Sequence, residues 1–206
     1  TTAHELATQL LHLAETLQSQ RFRLWAHFSL GLTLYYRGEQ TSAHQHLEQS
    51  LALSKRHPSP LLNFQYDPSV LSCSHLGPVL WLLGYPDQAR QQSHEALARA
   101  HELAQPYSLV YALDLAVVTH GFLRDQQTLR QEQEELVAVA QEQGFASYLA
   151  LGQVAGGWAL AEQGTLEEGI EQMRQSLAAW RATGAESPRP SYLALLAEAY
   201  GKAEQP

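Results

Sequence analysis

The sequence predicts an all-α fold, an α-solenoid of antiparallel helix pairs with about ten helices. Three observations predict it. Leu, Ala, Gln and Glu dominate, Ile170 is the only isoleucine, and no alternating apolar–polar run makes a convincing strand. A small residue between apolar neighbours recurs at Gly31, Gly77, Val117, Gly157 and Ala197, the last three steps being forty residues each. Glycines and prolines then divide every period into two helices.

The elements follow in order. Ala3, Ala7, Leu10, Leu11 and Ala14 mark a helix over 3–18. The next, 21–37, carries Gly31 and Leu34 and stops at Gly38; its partner, 40–56, carries Ala43. A helix over 68–83 opens on Pro68 after Asp67, carries Gly77 and Leu80, and stops at Gly84. Its partner, 86–103, opens on Pro86 and carries Ala89. The helix over 107–123 follows Pro106 and carries Val117 and His120, and 126–143 carries Leu129 and ends at Gly144. The last pair is 146–163, with Gly157 and Leu160 before Gly164, and 166–182, with Gly169. Thr165 and Glu168 read as a capping box, and Gly184 as a stop. A final helix spans 190–203.

The expected organisation is one segment over 1–206: a lone second helix, pairs at 21–56, 68–103, 107–143 and 146–182, and a lone first helix. First helices should form one layer and second helices another. The first step is 46 residues, and its six extra residues fall in the proline-punctuated stretch His57–Tyr66. Pro78 lies inside a first helix, where it removes one donor and should kink the helix, widening the surface beside His75 and Trp81. The chain opens Thr1-Thr2-Ala3 already in a helical pattern, which reads as a fragment of a longer protein.

The small residue, the large apolar one three later, the turn glycine and the small residue five beyond it resemble the tetratricopeptide repeat. Gly31, Leu34, Gly38 and Ala43 carry that pattern, as do Gly77, Leu80, Gly84 and Ala89, and Gly157, Leu160, Gly164 and Gly169. The third repeat departs from it, with Val117, His120, Arg124 and Leu129. Forty residues exceed the family's usual 34, so the helices must be longer. The stretches Trp81–Ala89, Gly157–Gly164 and Tyr192–Gly201 further resemble the C-terminal helical repeats of large bacterial signalling ATPases fused to nucleotide cyclase or kinase domains. The resemblance implies a right-handed superhelix and a cytoplasmic sensor or scaffold segment, its chemistry located upstream. It also implies that first helices line the concave face. By register that groove would present Trp25, Phe28, Tyr35 and Tyr36, then His75, Trp81, Tyr111, Asp114 and Phe122, and finally Trp158 with Glu162.

Composition narrows the function. A formal charge of −8 argues against a phosphate backbone or an anionic membrane surface as partner. One cysteine, Cys73, rules out an internal disulfide framework. No apolar run reaches the roughly 18 residues of a membrane span. The ten histidines form no ligand cluster: His44 and His46 face different ways, and His94 and His101 are two turns apart. Cys73 and His75, two apart on a helix, cannot serve as nucleophile and base, so Cys73 reads as a buried structural thiol. No cofactor, metal or catalytic residue is expected. The leading expectation is a protein- or peptide-binding module, whose partner can be another domain of its parent chain. The rival is a small-ligand pocket, as similar solenoids of some bacterial transcription activators imply for sugars. Leu193, Leu196, Ala197 and Tyr200 along the last helix, and the first helix likewise, point to self-association through the terminal helices.

Overall fold

The computed structural model describes residues 2–56, 66–184 and 189–203, so the insertion expected at 57–66 lies outside the described residues except for Tyr66. Ten helices make up the described chain, with no strand. They are α1 (Thr2–Thr16), α2 (Gln20–Tyr36), α3 (Gln40–Arg56), α4 (Pro68–Leu82), α5 (Pro86–Leu103), α6 (Pro106–Phe122), α7 (Gln126–Gln143), α8 (Ala146–Glu162), α9 (Leu166–Ala182) and α10 (Arg189–Ala203). The chain forms two compact units, Thr1–Leu123 and Arg124–Pro206.

First and second helices bury their residues differently. In α4 every residue from Ser69 to Leu80 is buried, and α6 and α8 are buried on most sides. In α5 burial is confined to Ala89, Ser93, Ala96 and Ala100, a single stripe spaced four, three and four. An all-round apolar helix must be enclosed, whereas a striped one can keep its polar back in water. Within the first unit, accordingly, α2 packs on α4 and α4 on α6. No two of α1, α3 and α5 bring described Cα atoms within 8 Å of each other. This corrects the expectation of a packed second layer: in this unit the second helices stand apart, α1 packed on α2, α3 between α2 and α4, and α5 between α4 and α6. An inner row that touches and an outer row that does not is curvature, concave on the first-helix side of this unit.

The small residues sit where two helices of a pair come closest. A Cβ on Gly31 would lie 2.7 Å from Leu47 Cγ, linking α2 to α3. One on Gly157 would lie 2.7 Å from the Gly169 carbonyl, linking α8 to α9. Three of the four pairs also carry a polar seam at one repeated position. His27 and His46 meet Nδ1 to Nδ1 at 2.9 Å, Cys73 Sγ lies 3.3 Å from Gln92 Oε1, and Gln172 Nε2 donates to the Gln153 carbonyl at 2.9 Å.

Turn chemistry follows the punctuation with two departures. Gly38, Gly84, Gly144, Gly164 and Gly184 all take positive φ, but so do Gln18, Ala104 and Arg124, where no glycine stands. Thr165 makes no side-chain cap bond, so the expected capping box is absent: Thr165 takes ψ 60 rather than the extended conformation that aims a cap hydroxyl at the first turn. Pro78 is buried and α4 runs on through it, with the Leu83 N–H reaching the Val79 carbonyl at 3.0 Å.

Asp67 caps α4, its Oδ1 accepting from the Ser69 N–H at 2.8 Å and the Val70 N–H at 3.3 Å. Asp67→Ala should cost about 1 kcal/mol and Asp67→Asn much less, read as shifts of the urea midpoint.

Candidate functional site

The first-helix side of the first unit gathers aromatic rings that register alone would scatter along the chain. Trp25 meets Phe28 edge-on at 6.0 Å, and Phe28 meets His75 edge-on, also at 6.0 Å. His75 is the hub: Tyr35 lies 5.7 Å from it and Tyr111 5.6 Å. Tyr36 extends the group from Tyr35 at 5.1 Å, and Tyr66 and Tyr107 extend it from Tyr111. Trp81 and Phe122 form a separate stack 4.6 Å apart. Edge-to-face and tilted pairs at these separations favour rigid rings, which bind without losing much rotamer freedom.

Burial grades these residues. Tyr36 is exposed at 54 %, and Trp25, Tyr35, Trp81, Tyr111 and Phe122 are half-buried. Phe28, His75 and Asp114 are buried, at 8 %, 1 % and 7 %, and form the floor. Trp158 and Glu162 belong to the second unit. Trp158 is buried beneath the Arg124 guanidinium, 5.6 Å from its ring. Glu162 is half-buried and ion-paired to Lys202 and, at 3.8 Å, to Arg124. There an ionic cluster completed by Glu198 occupies the first-helix face.

The electrostatics of the aromatic floor follow from its dryness. His75 Nδ1 lies 3.2 Å from the Leu71 carbonyl and 3.1 Å from Tyr111 Oη. Burial lowers the His75 imidazole to about 4 despite the Leu71 carbonyl, so it is neutral at pH 7. Burial, then Tyr36 and Asp114, raises Tyr35 to about 12, and burial with the same neighbours pushes Tyr111 well above the usual phenol. Both hydroxyls therefore keep their protons, and the Asp114 carboxylate lies close enough to be felt by both.

Elsewhere the residues do structural work. Cys73 is buried, and burial raises its thiol to about 11. Its sulfur faces Gln92 while His75 faces Tyr111, so the two form no nucleophile–base pair. Among the described residues, no three His, Cys, Asp or Glu side chains are placed to hold a metal ion. On the outer side of the first unit, α3, α4 and α5 enclose an open cleft of about 580 Å³ over Leu51, Leu76 and Leu80, rimmed by Glu48, Lys55 and Gln88.

Tyr66 and Tyr107 escape a register argument because Tyr66 precedes the α4 cap and Tyr107 sits in the first turn of α6. The one available signal is that both are aromatic within two residues of first-turn prolines, Pro68 and Pro106.

The tetratricopeptide repeat family model matches residues 29–57, the stretch holding Gly31, Leu34, Gly38 and Ala43. It supports a tetratricopeptide-like repeat region, a fold that generally mediates contacts between proteins. No curated protein matches the chain. Among the described residues no helix is long and apolar enough to cross a membrane.

Proposed function

We propose that the first unit binds a peptide or protein segment along its first-helix face, through Trp25, Tyr35, Tyr36 and Tyr111, without covalent chemistry. The ring network on a buried floor carries this reading. Rigid aromatics, half-buried around a few polar groups, supply the desolvated anchors that dominate peptide affinity. Trp81 and Phe122 extend the face toward the ends of α4 and α6. Within the second unit, Trp158 is buried and Glu162 is ion-paired.

A small-ligand site is the second reading, favoured by the cleft beneath α3 and α5, whose volume suits a drug-sized molecule. It lacks aromatic walls and is open, so it ranks below the ring face. From resemblance alone, the segment is a cytoplasmic sensor or scaffold part of a larger bacterial signalling protein. The exposed Leu6 and Leu13 of α1 and Leu193 and Tyr200 of α10 support self-association through those helices.

Selection of a displayed random peptide library on the chain tests the main reading. Binders should lose at least about tenfold in affinity to Tyr36→Ala, the most exposed ring. Binders indifferent to it but lost on Leu51→Glu would move the site to the outer cleft.

A further inference from the structure

We infer that the segment taken by the ring face is proline-rich and held as a polyproline II helix, its prolines against Tyr35, Tyr36 and Tyr111 and one of its carbonyls accepting from the Tyr111 hydroxyl. This rests on the reading that the face binds peptide. The Tyr111 donor follows from geometry. His75 Nδ1 lies 3.2 Å from the Leu71 carbonyl, which can only accept, so Nδ1 carries the imidazole hydrogen. A nitrogen that holds its hydrogen cannot accept another, so across the 3.1 Å to Tyr111 Oη it again donates. The Tyr111 hydroxyl therefore receives a hydrogen from His75 and keeps its own to give. A half-buried phenol fixed from behind in this way is a preorganised donor.

The make-up of the face selects the backbone state of its ligand. A strand needs a sheet edge to pair with, and the described residues form no strand. An acidic or phosphorylated segment needs clustered arginines. On the helices that build the face, α4 has no Asp, Glu, Lys or Arg, α6 has only the buried Asp114, and α2 has Arg21 and Arg23 in its first turn, at the far end from Tyr35 and Tyr36. A bound helix satisfies its carbonyls internally, so along its length it gives the Tyr111 hydroxyl nothing to bond. A polyproline II segment makes no internal hydrogen bonds, and its carbonyls are free. Proline also lacks the N–H that would lose its water against apolar rings. Its fixed φ leaves little freedom to lose on binding, and neither do rings packed edge-on and tilted about His75 at 5.1 to 5.7 Å. Aromatic faces of this kind are where proline-rich segments dock.

The test uses peptides selected on the full 206-residue chain and known to need Tyr36. We expect prolines at fixed positions in them. Replacing one such proline with alanine should weaken binding about tenfold or more, and the labelled peptide, read by NMR when bound, should keep polyproline II dihedrals. Tyr111→Phe removes a single oxygen and should cost about fivefold in affinity for the same peptide. If that variant does not fold, the proline replacements and the NMR of the bound peptide on the unaltered chain decide alone. Tyr36-dependent peptides without fixed prolines, or helical when bound, would overturn this inference and leave peptide binding intact. Binding that a folded Tyr111→Phe chain keeps in full would overturn the carbonyl contact. Peptides indifferent to Tyr36→Ala would overturn the binding face itself.

Discussion

Gly169→Ala should destabilise the second unit by about 2 kcal/mol or more, reversing the usual sign of a glycine-to-alanine change within a helix. In an open helix the substitution gains up to about 1 kcal/mol from propensity. At Gly169, in the first turn of α9, the new Cβ would stand 2.4 Å from the Gly157 carbonyl oxygen and 2.8 Å from the Ala161 nitrogen. Both are backbone atoms of α8, which cannot swing aside as a side chain can. The helices must separate, in a unit whose core buries Trp158, Met173 and Trp180. Overpacking a tight contact typically costs about 1–3 kcal/mol, and here the whole first turn must move. Gly201→Ala in α10 is the control, since nothing lies within 4 Å of its Cβ, and it should be neutral or slightly stabilising. Urea unfolding followed by circular dichroism separates the two. Equal effects at both sites would show that α8 and α9 do not approach as closely as the Gly157–Gly169 contact requires.

Acid should destabilise the first unit progressively as pH falls from about 6.5 toward 4. His75 is held near 4 by burial, against the Leu71 carbonyl. His27 is also held near 4, by burial first, then by His46 and Arg23, with Glu15 opposing. His46 is lowered by burial and by His4. In the unfolded chain these imidazoles titrate near 6.5. Between those values the unfolded chain binds more protons than the folded one, so stability is complete above about pH 7 and falls as pH drops from 6.5 toward 4. For His75 alone the loss approaches roughly 3 kcal/mol at pH 4, a large part of a typical domain's margin. The His27–His46 pair adds to it, because one proton already sits between two nitrogens 2.9 Å apart and a second finds no acceptor there. His75→Asn should lower stability at pH 7 and flatten its slope below 6.5. An unchanged slope would mean that His75 takes up protons in the fold as readily as in the unfolded chain.

The helices were legible because their ends are written in local chemistry. Prolines at 68, 86 and 106 and glycines at 38, 84, 144, 164 and 184 act on their own backbone, wherever the helix packs, and all ten helices end within two residues of the expected bounds. Arg124 was not legible as a positive-φ residue. The repeat marks the position, but an arginine there is tolerated only because the surrounding turn imposes it, and it then reaches Glu162, Glu198 and the Trp158 ring. Nor could the sequence grade the aromatics. In α4 and α6 apolar residues fall on every side, so the pattern distinguishes no solvent side, and His75 and Trp81 look equivalent until neighbouring helices enclose the first and leave the second half-buried. The spacing of the outer row escaped for a related reason. Stripes on α3 and α5 say which face is buried, not how far apart the two helices stand.

The most direct test of the binding face is hydroxyl-radical footprinting of the chain with and without a selected peptide. Binding along the first helices of the first unit requires lower oxidation of Tyr36, Tyr35, Trp25 and Tyr111, with Leu51 and Leu80 in the outer cleft unchanged. Protection confined to that cleft, or to residues after Arg124, would contradict it.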